Sequence, residues 1–145
     1  AVGECGLDKL RGASMSLQQE VFRACISLAE QMHLPLVVHA VKCTEELFRI
    51  HKELKPQMPW IIHGFRGRKE VAEQYLKCGF YLSFGEHFHD EALRSTPLER
   101  LLLETDESRL SMEEICRKAA SVYGLPAEIL AARITSNAQK VLFLQ

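Results

Sequence analysis

Short, mostly apolar runs alternate along this chain with longer stretches in which apolar residues recur every three or four positions. The runs are Val2 to Cys5, Leu36 to Val38, Trp60 to Ile62, Phe80 to Phe84 and Leu101 to Leu103. Each is too short for a helix and is bounded by Pro, Gly or charge, so each predicts a buried parallel strand. Between them the spacing turns helical. Ser16-Leu-Gln-Gln19 reads as a capping box, and Leu17, Val21, Cys25, Leu28 and Met32 follow on one face. Val71, Ala72, Tyr75 and Leu76 repeat the pattern before Gly79, which is placed to stop that helix. Ser111-Met-Glu-Glu114 caps another helix, and Pro126 stands where a further one begins. Strand-loop-helix units of about 21 to 24 residues match a minimal βα repeat. The pattern predicts an α/β fold with parallel strands.

Composition narrows this without changing it. The chain has 145 residues, 47% hydrophobic and 26% charged, which suits one domain with an ample core. No apolar run is long enough for a membrane span or a secretory leader, and no linker or low-complexity stretch marks a boundary. A net charge of -1 gives no global basic field, although a local basic loop still suffices to hold a phosphate. Five cysteines, an odd number with no CxxC spacing, read as thiols of a reducing cytosol.

The strand ends carry the chemistry. Glu4 closes the first run, His39 follows the second in "LVVHA", His63 the third in "WIIHGF", and Glu104 and Asp106 the fifth in "LLLETD". In a parallel α/β fold all strand carboxyl ends lie on one face. Taken singly, each residue has a packing explanation: a strand-end His bonded to backbone, a Glu capping a helix. Four such residue types on one face do not follow from packing, which favours Val, Ile and Leu there. A divalent metal held by nitrogen and oxygen ligands, acidifying a water, wants this set. His33 and His51 fall on helices or their ends and read as surface residues.

"GECGLD", "LPLVVHA", "IIHGF", "GFYLSFG" and "RLLLETDES" resemble, in order and spacing, the motifs of the TatD family of metal-dependent deoxyribonucleases, and "ITSNAQKVL" resembles its C-terminal helix. The resemblance implies a TIM-like (β/α) barrel and a cytoplasmic hydrolase of DNA phosphodiesters using two divalent ions (Mg²⁺, Mn²⁺ or Zn²⁺). It further implies that Glu4 bridges the ions, that His39, His63 and Asp106 bind them, and that Asp106 takes the proton from the attacking water. Glu4 would then end the fourth barrel strand. Residues 1–145 would be the C-terminal part of a single barrel domain, with five strands where about eight are needed. The family's His-x-His pair has no counterpart before Glu4, so an N-terminal segment of the same protein is expected to supply it. "HFH" at His87-Phe88-His89 follows the wrong strand to be a displaced copy.

Around this set, Arg66, Arg68 and Lys69 flank a helix start and suit a phosphate. His87 is placed to protonate a leaving alkoxide or bond a phosphate oxygen. Cys5 alternates away from Glu4 and is expected to pack, while Asp8 is expected to support a ligand or anchor its loop. After Asp106 the chain runs through "ESRLSMEE" into a helix, without the family's proline-containing loop. Three functions stay open: a metal-dependent nuclease, a hydrolase of a small amide or ester on the same site, and a non-catalytic degenerate barrel.

Overall fold

A computed structural model describes residues 1–143. The chain forms two compact units, Ala1–His63 and Gly64–Gln145. Among the described residues no helix is long and apolar enough to cross a membrane.

In the first unit β1 (Val2–Asp8), β2 (Leu36–Val41) and β3 (Trp60–Ile62) alternate with α1 (Met15–Met32) and α2 (Thr44–Leu54). β2 pairs in parallel with both β1 and β3. Leu7, Leu36, Val38 and Ile62 from the strands and Phe22, Leu47 and Ile50 from the helices fill the core. Phe22 meets the Trp60 ring edge-on at 5.3 Å, a geometry that adds to the burial of two large apolar surfaces. Truncating Phe22 to Ala would cost about 3–5 kcal/mol.

Two details of α1 differ from the pattern reading. The N-cap is Ser14, whose hydroxyl accepts from the Leu17 N–H at 3.4 Å, so Ser16 lies inside the first turn. The buried face is Phe22, Ile26 and Ala29, whereas Leu17, Val21, Leu28 and Met32 are 48–59% exposed. Both rows satisfy a helical repeat, and the bulkier Phe22 finds Trp60. His51 also departs from expectation. It is half-buried, edge-on to Trp60 at 5.0 Å, and burial lowers its pKa.

In the second unit α3 (Lys69–Lys77), β4 (Tyr81–Phe84), α4 (Asp90–Ser95), β5 (Leu101–Leu103), α5 (Met112–Tyr123) and α6 (Ala127–Phe143) follow in order. β4 and β5 are parallel, with Leu82 opposite Leu101 and Phe84 opposite Leu103. The expected capping box opens α5: Ser111 accepts from the Glu114 N–H and the Glu114 carboxylate accepts from the Ser111 N–H. In the "TSNAQK" stretch, Asn137 is buried and its amide donates to the carbonyls of Leu98 and Leu101 at 2.6 and 2.8 Å. One buried polar side chain thus ties α6 to β5 and to the turn before it, with both amide hydrogens bonded. All five expected strands are present, with β1 three residues longer than its apolar run.

Candidate metal centre

The first unit brings Glu4, His39 and His63 together. In β1 Val2 lies opposite Leu36 and Cys5 opposite Val38, so three steps on β1 face two on β2. The surplus residue makes a bulge, which re-aims side chains. Glu4 sits in it, inside the strand rather than at its end. Gly6 lies opposite His39, and a Cβ there would run into the His39 backbone, with φ at +154°. Only glycine allows that approach. His63 follows β3 and is fixed by its N–H donating to the Val38 carbonyl at 3.0 Å.

The side chains then converge. His39 Nδ1 is 2.8 Å and His63 Nε2 3.5 Å from Glu4 Oε1. The two imidazole centroids are 6.5 Å apart. One ligand atom from each of the three residues lies within 4.8 Å of the other two. A carboxylate oxygen and two imidazole nitrogens at this spacing fit a divalent ion of the zinc or manganese type.

A tight loop follows. Asp8 Oδ1 accepts the N–H groups of Leu10 and Arg11 at 2.7 and 3.0 Å, and Oδ2 faces His39 Nε2 at 3.3 Å. The Leu10 N–H, and then His39, hold the Asp8 carboxyl below the usual carboxylate range. From α1 the Gln18 amide oxygen accepts the Asp8 N–H at 2.7 Å, and its nitrogen reaches the carbonyls of Asp8, Arg11 and Ala13 at 3.0, 3.2 and 2.8 Å. Cys5 packs as expected, its thiol 3.7 Å from the Val37 carbonyl and its pKa pushed up to about 12 by burial, with Cys25 and Glu4 adding to the rise.

The second unit holds its own cluster. A cavity of about 260 Å³ is lined by Arg66, Glu86, His87, Glu104, Asp106 and Ser108, with Gly64 and Gly85 among its walls. Asp106 stands at φ +44° in the turn after β5, a conformation that Asp tolerates better than most residues. The Ser83 hydroxyl donates to Glu104 and the Ser108 hydroxyl to Glu86. His87 Nε2 is 2.7 Å from Glu86 Oε1, and Lys118 Nζ donates to the Glu86 carbonyl at 2.6 Å. Arg68 lies apart from this cavity. It is the N-cap of α3 and lines a separate surface cavity of about 480 Å³ with Lys69, Glu70, His89, Asp90 and Glu91.

The sequence points to the candidate ligands and to a supporting role for Asp8, but not to the residues that hold Asp8, Glu104 and Glu86. Gln18 stands in the stretch that reads as a capping box, and Ser83 and Ser108 stand inside "GFYLSFG" and "RLLLETDES". Nothing in those patterns marks the three as hydrogen-bond partners of carboxylates or of the Asp8 backbone.

Parallel βα units carrying a carboxylate–imidazole cluster on their strands place the chain among α/β proteins with a candidate metal centre. The chain belongs to the family of TatD related DNases, whose model matches residues 1–143. A Bacillus subtilis protein described as an uncharacterized metal-dependent hydrolase, YabD, is 39% identical over 73% of this chain and 45% of its own length. A Pantoea ananatis 3'-5' ssDNA/RNA exonuclease TatD is 31% identical over 99% of this chain and 66% of its own length. The chain thus spans between about half and two-thirds of these relatives. The crystal structure of YjjV, a TatD homolog from Escherichia coli K12, matches all of this chain and 64% of its own, with a TM-score of 0.87 at 23% identity. A TatD family hydrolase from Entamoeba histolytica matches all of this chain and 64% of its own, with a TM-score of 0.89 at 19% identity. These likenesses establish the α/β, TIM-like barrel class of the fold.

Proposed function

We propose that the protein is a metal-dependent nuclease that hydrolyses phosphodiester bonds of single-stranded DNA, removing nucleotides in the 3'-to-5' direction as its Pantoea relative's name states. The observation that carries this is the meeting of Glu4, His39 and His63 donor atoms within 4.8 Å in a chain of this family. Glu4, His39 Nδ1 and His63 Nε2 are assigned as ligands, with Asp106 completing a site for two divalent ions (Mg²⁺, Mn²⁺ or Zn²⁺). Divalent ions supply Lewis acidity, polarising a phosphoryl oxygen and acidifying an attacking water. The remaining steps fall to the chain. Asp106 accepts the proton of that water. Arg66 binds phosphate through its guanidinium fork, with Arg68 a secondary contact. His87, held by Glu86, donates a proton to the departing oxygen. The reaction takes place in the cytoplasm, in keeping with five unpaired thiols.

The test uses the intact protein stripped of metal and then supplied with Mg²⁺, Mn²⁺ or Zn²⁺. Metal-dependent release of nucleotides from a single-stranded oligonucleotide, abolished by Glu4→Gln, is the expected result. Turnover of small esters with no DNA cleavage, or cleavage untouched by Glu4→Gln, would overturn it.

A further inference from the structure

The His39 ring has a carboxylate at each nitrogen: Glu4 beside Nδ1 at 2.8 Å and Asp8 beside Nε2 at 3.3 Å. The two acids differ in how they are held. Glu4 lies in the bulge, and its Oε1 is shared between His39 and His63. Asp8 is fastened at three points. Its Oδ1 is occupied by the Leu10 and Arg11 N–H groups, and the Gln18 amide brackets its backbone by binding both its N–H and its carbonyl. With Oδ1 committed, Oδ2 is left turned to His39 Nε2 as a fixed acceptor.

A neutral imidazole has one proton, and the nitrogen without it is the one that ligates. An acceptor rigidly set against Nε2 holds a proton there, so the proton that Nδ1 shares with Glu4 is the one an incoming ion displaces, and the ion receives the Nδ1 lone pair. It also fixes the rotation of the ring, which a strand residue with a free χ2 would otherwise have to lose on binding. We propose that Asp8, braced by Gln18, is the positioning residue of this centre: it holds the Nε2–H of His39 and turns Nδ1 toward Glu4 and His63. The inference rests on the metal reading above and names the residues that prepare the site for its ion.

Asp8→Asn is the informative variant. The amide oxygen preserves the bonds from Leu10 and Arg11 but sets an NH₂ donor against Nε2–H. On the intact protein, Zn²⁺ affinity by competition titration is expected to fall about ten- to a hundredfold, the range for lost outer partners of metal-bound histidines. Gln18→Ala, which frees the loop but leaves the carboxylate, is expected to weaken Zn²⁺ by less than about tenfold. NMR of ¹⁵N-labelled protein supplies a second readout. The His39 Nε2–H is expected to exchange slowly with solvent in wild type, with or without zinc, and quickly in Asp8→Asn. Wild-type zinc affinity in a folded Asp8→Asn protein, or a fast-exchanging Nε2–H in wild type, would overturn the proposal. If wild type binds no zinc, the metal reading fails, while the exchange measurement on metal-free protein still decides whether Asp8 holds the ring. If Asp8→Asn does not fold, wild-type exchange and Gln18→Ala decide it.

Discussion

The two units prepare their polar clusters by different means. In Ala1–His63 the backbone does most of the placing. A bulge aims Glu4, a glycine opposite His39 lets two strands close up, and a loop clamped by Gln18 presents Asp8. In Gly64–Gln145 side chains do it: Ser83 holds Glu104, Ser108 holds Glu86, and Glu86 holds His87. A side chain placed by the backbone resists rotation but tolerates no change in the main chain around it. A side chain held by hydroxyls loses one hydrogen bond at a time, at about 1 kcal/mol each.

That contrast is sharpest where ligands are removed. His39→Ala is expected to lower kcat by at least about a thousandfold and to raise the metal Kd by at least a hundredfold, because an imidazole nitrogen cannot be replaced by neighbours. Asp106→Asn is expected to lower kcat as far while moving the Kd of the first ion less, since its proposed work is proton transfer. Equal losses of affinity in both variants would erase the distinction. Titration calorimetry beside single-turnover cleavage reads both quantities.

Backbone substitutions come next. Gly6→Ala drives a Cβ into the His39 backbone at a φ of +154°, and is expected to destabilise the protein by about 2–4 kcal/mol in urea unfolding. Gly85→Ala, whose Cβ would meet only ordinary contacts with Glu104 at 3.9 and 4.0 Å, is expected to change stability by under about 1 kcal/mol. A benign Gly6→Ala would mean that the close approach of β1 and β2 does not place His39.

Arginine variants probe the second unit. Arg66→Ala, inside the cavity with Asp106, is expected to raise KM for an oligonucleotide about five- to twentyfold and to flatten the dependence of binding on salt. Arg68→Ala, on the separate surface, is expected to move KM by less than about threefold. Reversed effects would put the phosphate path over the start of α3.

The smallest effect concerns pH. Backbone donation from Leu10, with His39 behind it, lowers the Asp8 pKa. A depressed folded-state value means a stabilising contribution that is present above the ordinary carboxylate pKa and disappears as pH falls through the folded value. Unfolding midpoints of wild type should therefore drop more steeply than those of Asp8→Ala below the usual carboxylate range. Parallel curves would deny Asp8 that share.

How much of this the sequence carried depends on the kind of interaction. Strands were legible because buried parallel strands select apolar runs, and the candidate ligands because Glu, His and Asp do not belong at the ends of such runs. The face of α1 was not legible. Leu17/Val21/Leu28/Met32 and Phe22/Ile26/Ala29 are both apolar rows, and the choice rests on Trp60, which is 38 positions beyond Phe22. The bulge at Glu4 was hidden for a similar reason, since strand register belongs to the pair of strands and not to either one. Ser14 rather than Ser16 caps α1, and that start sets Gln18 over the Asp8 loop, a contact between positions ten residues apart.

The proposed chemistry turns on whether Glu4, His39 and His63 hold a divalent ion. Anomalous diffraction from crystals of the intact protein soaked in Zn²⁺ or Mn²⁺ tests it most directly. A peak is expected within about 2.0–2.2 Å of a Glu4 oxygen, His39 Nδ1 and His63 Nε2. A saturated protein whose anomalous peaks all lie away from these three side chains would contradict it.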